Sequence, residues 1–82
     1  MKNSSENNKA LFELAFAKMP FGKYKNQYLS DIPESYYIWF RQKGFPKGKL
    51  GQQMQAVFEM KINGIEPILR KVRKIKTLKN QN

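Results

Sequence analysis

A chain of 82 residues with no cysteine and no histidine cannot be stapled by disulfides or by the usual metal ligands, so it has to fold on apolar packing. The same absence removes thiolate nucleophiles and the commonest general base near neutral pH. The length allows one domain, which buries only about 60% of the surface its unfolded chain exposes. Stability is therefore modest, and either a monomer or a homodimer fits. The apolar residues (40%, with 13% aromatic) are enough for a core.

Proline and glycine divide the sequence. Residues 1–8 and 77–82 are polar and read as flexible tails around a single compact domain at 9–76. Ser5 or an Asn at 7–8 can cap a helix over 9–18, where Leu11, Leu14 and Ala15 share a face and Phe12 and Phe16 widen it. Pro20 ends that helix. Residues 21–25 and 28–32 then read as two short strands joined through Lys25-Asn26-Gln27, because Asn tolerates positive φ. Pro33 opens a helix over 33–43, with Ser30 or Asp31 as its cap and Glu34 near its positive end. Lys43-Gly44 stops it. A third helix runs from Gly48 or Lys49 to about 63, with Leu50, Met54, Val57, Phe58 and Ile62 as its apolar stripe. A last helix after Glu66-Pro67 has Ile65, Ile68, Leu69, Val72 and Ile75 as its apolar residues, with Arg70, Lys71, Arg73 and Lys74 covering its other side. The predicted fold is a small α+β domain, a β-hairpin packed with three to four helices.

The charge balance says most about partners. Sixteen Lys and Arg against six Asp and Glu give a net charge of +10, which concentrates polyanions around the protein. Nucleic acid is the first such partner and an anionic membrane surface the second. Only Arg41, Arg70 and Arg73 are arginines, and lysine-dominated surfaces are weaker evidence for specific phosphate or base recognition. The polar start shows no secretory signal, and the run LFELAFA carries Glu13 and is too short to span a membrane, so a cytoplasmic protein without integral membrane association is expected.

Catalysis has no constellation to rest on. The serines lack a base partner, Asp31 and Glu34 read as cap and dipole partners, and six acids are too few for an evident metal cage. No cofactor, metal site or catalytic residue is expected. Two glycine–lysine elements remain: Phe21-Gly22-Lys23-Tyr24-Lys25 and Lys43-Gly44-Phe45-Pro46-Lys47-Gly48-Lys49. Glycine lets a backbone approach a ligand closely, and lysines supply phosphate-directed charge. The bland alternative is turn chemistry with a solvated lysine rim. Among the aromatics, Tyr24 between two lysines is the stacking candidate, whereas Trp39, spaced helically from Tyr36 and Phe40, reads as a packing residue.

The ordered motifs Met19-Pro20-Phe21-Gly22-Lys23-Tyr24-Lys25, Leu29-Ser30-Asp31-Ile32-Pro33, Tyr36, Trp39-Phe40, Lys43-Gly44-Phe45-Pro46-Lys47-Gly48 and Leu50-Gly51 resemble a family of small bacterial proteins described as putative quorum-sensing-regulated virulence factors. The resemblance spans residues 10–73. Its first half is also similar to the C-terminal module of exodeoxyribonuclease X-like proteins, although Asn26 stands where Gly is usual after the second lysine. That second likeness implies nucleic acid as a partner without implying nuclease activity.

The expected function is a small, non-catalytic nucleic-acid-binding accessory module. Lys23, Lys25, Lys47 and Lys49 would contact phosphates, with Arg41 and Lys43 at the rim and Tyr24 available for stacking. Gly22, Pro33, Trp39, Gly44 and Gly48 would shape the elements. Four or five engaged phosphates on duplex DNA imply a slope of about −4 in log affinity against log salt. The alternative is a protein-interaction adaptor that uses the apolar side of the last helix or the aromatics of 36–45, its charge incidental.

Overall fold

The computed structural model describes the backbone of residues 4–80 and the side chains of residues 9–76. Four helices follow in order: α1 (Ser4–Phe16), α2 (Glu34–Lys43), α3 (Lys49–Ile62) and α4 (Pro67–Asn80), with a 3₁₀ turn at Leu29–Asp31 between the first two. The helices at each end reach into both segments expected as tails. The outermost residues of those segments, 1–3 and 81–82, lie outside the described residues. α1 packs on α4 and α2 on α3, and the 3₁₀ turn touches α1, α3 and α4.

The domain is all-α, which corrects the α+β expectation. Among the described residues there is no strand, only an isolated antiparallel bridge between Lys18 and Tyr28. The Met19 amide donates to the Gln27 carbonyl (2.9 Å) and the Asn26 amide to the Met19 carbonyl (2.7 Å), so the segment expected as the first strand lies inside a turn. The reasons are local. Gly22, inside the expected first strand, takes a φ of 80°, which extended strands do not use, while Asn26 takes the positive φ (71°) expected of the link. A Cβ at Gly22 would also stand 3.3 Å from the Tyr36 hydroxyl, so the glycine lets the turn close against α2. The expected second strand coils instead. Leu29 and Ser30 are both fully buried, whereas the alternation of a strand would turn one of them outward.

α2 and α3 match their proline and glycine signals. Gly44 follows α2 and its amide donates to the Phe40 carbonyl (2.6 Å); Gly48 precedes α3. The cap of α2 is a correction. Pro33 occupies the cap position with no side-chain bond, and Ser30 and Asp31 are engaged elsewhere. The connector after α2 lies directly on the first turn of α3: a methyl group at the buried Gly51 would fall inside the Pro46 carbonyl.

The core joins all these elements. Ala15 of α1, Met19 after it, and Leu29 and Ile32 around the 3₁₀ turn meet Tyr37 of α2, Met54, Val57 and Phe58 of α3, and Leu69 and Val72 of α4. No described helix is long and apolar enough to cross a membrane.

Candidate functional site

The 20–27 turn and α2 enclose an open cleft of about 400 Å³ lined by Lys23, Tyr24, Ser35, Tyr36 and Trp39. Its rings are fixed from behind. Tyr24 meets Tyr36 edge to face (centroids 4.8 Å apart), Tyr36 meets Phe40 likewise (5.1 Å), and Phe40 stacks on Phe45 (6.2 Å). This aromatic ladder joins the two glycine–lysine elements: Tyr24 belongs to the first, Phe45 to the second, and two rings of α2 lie between them. Lys23 Nζ stands 5.5 Å from the Tyr24 centroid, placing its charge at the rim of the cleft.

Trp39 is where sequence reasoning missed. Expected as packing, the indole is 50% exposed and is held by an edge contact with Phe40 at 5.0 Å. Tyr24, the expected stacking residue, is half-buried and forms part of the wall. A signal was available in the sequence. α2 carries aromatics at 36, 37, 39 and 40, which is more than one helix can turn toward a single neighbour.

The basic residues separate. Lys25, Lys43 and Lys47 are exposed like Lys23, and none of the four pairs with a carboxylate among the described residues. Lys49 is 3.4 Å from Glu13 on α1. Arg41 lies over the Phe58 ring at 5.1 Å and lines a different cleft, with Phe45 and Glu59. Of the expected basic residues only Lys23 lines the cleft with Tyr24; Lys25, Arg41, Lys43, Lys47 and Lys49 do not.

The arginines of α4 have another task. From sequence, Arg70 and Arg73 belong to a basic outer face; in the structure both reach the Leu29–Asp31 turn. Arg73 donates to the Ala15 carbonyl (2.6 Å) and to Ser30 Oγ (2.9 Å), and its guanidinium lies 4.0 Å above the Tyr28 ring. Arg70 donates through Nε to Asp31 (3.1 Å) and pairs with Glu66 (2.6 Å), an ion pair rather than an aligned hydrogen bond. Lys61 donates to the Ser30 carbonyl (2.8 Å). Tyr37 donates to the Leu29 carbonyl (2.6 Å), and burial, aided by the charge of Glu66 and by Tyr36, pushes its hydroxyl well above the ordinary phenol range. This network anchors a turn. Among the described residues, no group of three or more acidic side chains is placed to hold a metal ion.

A basic, all-α domain with a lysine-rimmed aromatic cleft is the class these features define. Its family follows from comparison with known proteins. The chain belongs to the family described as "Putative quorum-sensing-regulated virulence factor", whose model matches residues 7–72. It is 43% identical over 65 residues to the "Uncharacterized protein YpeB" of Escherichia coli strain K12, a match covering 78% of this chain and 90% of that protein. The protein of the same description from Escherichia coli O157:H7 matches to the same extent. The likeness to exodeoxyribonuclease X-like proteins has no counterpart among these matches. No solved structure matches the chain at a significant level.

Proposed function

We propose that this chain is a non-catalytic module that binds nucleic acid through its phosphates, using Lys23 and Lys25 of the 20–27 turn together with Lys43 and Lys47 around the connector. The observation that carries the proposal is the disposition of these four lysines: exposed, without carboxylate partners among the described residues, and set on two elements joined by one aromatic ladder. The net charge of +10 favours any polyanion, and the cleft carries no acid that would repel one. Nucleic acid is the commonest such polyanion, and a cytoplasmic location goes with it. The family description speaks of regulation and virulence and names no ligand.

The test is fluorescence-anisotropy binding to labelled DNA and RNA across a salt series. Wild-type chain should bind with micromolar affinity at low salt, with a slope near −4 on duplex DNA if all four lysines engage phosphates. Lys23→Glu with Lys25→Glu should abolish binding. Failure of the wild type to bind at low salt would remove the proposal.

One observation favours a second function, a protein-interaction adaptor. Ile62, Ile65 and Ile68 are all exposed around the α3–α4 turn. An adaptor using that surface would be indifferent to the double charge reversal.

A further inference from the structure

If the basic face binds nucleic acid as proposed above, the cleft says in what form. We infer that the ligand is single-stranded nucleic acid, one unpaired base of which stacks on Trp39 between the 20–27 turn and α2. The inference rests on that proposal and adds to it the strandedness of the ligand and the residue that detects it.

Trp39 is the largest side chain of a small protein, yet half of it faces solvent while its neighbour Tyr37 is fully buried. Phe40 fixes the indole from one side, at an interplanar angle of 86°, and the rest borders the cleft. Tyr36, packed edge to face between Tyr24 and Phe40, gives the cleft a second ring with a neighbour on each side. A rigid aromatic surface beside a cation is what a base and its phosphate require together, and Lys23 supplies the cation at the rim. The faces of a base are occupied by its neighbours in a duplex and become available when the strand is single.

Two other clefts among the described residues lack this combination. That between α1 and α3 is lined by Glu13 beside Lys49, and that between α2 and α3 by Glu59 beside Arg41. Each sets a carboxylate where a phosphate would approach. The Trp39 cleft holds Lys23 and the Ser35 hydroxyl and no acid. With so few polar groups to read base edges, binding there tolerates any sequence.

Trp39 is the sole tryptophan, so its emission reports directly on the cleft. The probes are oligothymidylate and oligouridylate of about twelve nucleotides, a length small single-strand binders cover, an abasic strand of equal phosphate count, and a duplex. Both or either of the base-bearing single strands should quench Trp39 and bind about tenfold tighter than the abasic strand, and the duplex should leave the emission unchanged. Trp39→Leu should lower affinity for the base-bearing strand about tenfold and leave the abasic strand unaffected. Circular dichroism and the melting temperature verify that this variant is folded. Equal affinity for abasic and base-bearing strands, with no quenching, would overturn the inference and leave the phosphate-binding proposal standing. Equal loss of both strands in Trp39→Leu would overturn it too, because Trp39 would then act through the fold. Absence of binding to every probe at low salt would overturn both proposals.

Discussion

The Leu29–Asp31 turn and the 20–27 turn belong to the same connection between α1 and α2, yet they meet positive charge in opposite ways. At Leu29–Asp31 the cations arrive from far along the chain. Arg73, Arg70 and Lys61 converge on two carbonyls, a hydroxyl and a carboxylate, and the side chain of Arg73 is only 12% exposed. At 20–27 the cations leave: Lys23 and Lys25 are exposed, and what arrives from α2 is aromatic. The difference follows from the side chains. A guanidinium presents several donors in a fixed fork and can satisfy acceptors from different elements at once, whereas a strongly hydrated ammonium on a flexible stem favours water or a mobile phosphate. All three arginines here touch protein, Arg41 by lying over Phe58. A net charge of +10 thus overstates what is available to a partner.

Arg73 separates the two turns most clearly. Arg73→Met strips the Ala15 carbonyl and Ser30 hydroxyl of a buried donor, and urea denaturation should record a loss of about 3 kcal/mol. Nucleic-acid affinity, measured where the variant is still folded, should stay within about twofold of wild type, the range that a surface left intact allows. The charge reversal Lys23→Glu with Lys25→Glu should do the converse: affinity at low salt falls by more than about tenfold, while stability moves by no more than about 0.5 kcal/mol.

Tyr37→Phe sharpens the account of the anchored turn. It leaves the buried Leu29 carbonyl without its donor and should cost about 1–1.5 kcal/mol. It should also change the alkaline limb. The native hydroxyl holds its proton above the pH at which the unfolded chain releases it near about 10, so its contribution is complete below that pH and is lost as pH rises beyond it. Wild-type stability should therefore fall more steeply above about pH 10 than that of Tyr37→Phe, as denaturant midpoints across pH would record. The smallest effect is expected at the solvent edge. Asp31 pairs with Arg70 where both side chains are more than a third exposed, so Asp31→Asn should cost about 1 kcal/mol or less.

What the sequence made legible was whatever depends on neighbours in the chain. Pro33 and Gly44 bound α2, Gly48 and Asn63 bound α3, and the apolar stripe of α3 puts Met54, Val57 and Phe58 in the core. What it hid depends on residues distant in the chain. Ser30 is tolerated in the interior because Arg73, 43 positions later, bonds its hydroxyl, and nothing near Ser30 in the chain signals that donor. Asp31 looked like a helix cap for the same reason, since a carboxylate before Pro33 gives no sign that Arg70 will claim it. The candidate site was half legible. Lys23 and Tyr24 of the first element are at the cleft, but the exposed ring is Trp39, and the connector is linked to it only through Phe45 and Phe40. Ring-to-ring packing of that kind is set by how α2 rolls on α3, which helical spacing alone does not fix.

The central claim is that lysines outside the arginine network, Lys23 and Lys25 foremost, are the ones that meet phosphate. It is tested most directly by the salt dependence of duplex DNA binding for wild type and for Lys23→Gln with Lys25→Gln. Each lysine lost from a phosphate contact should reduce the slope of log affinity against log salt by about one, so the double variant should show a slope shallower by about two. An unchanged slope in a folded variant would contradict the claim and place the phosphate contacts elsewhere on the protein.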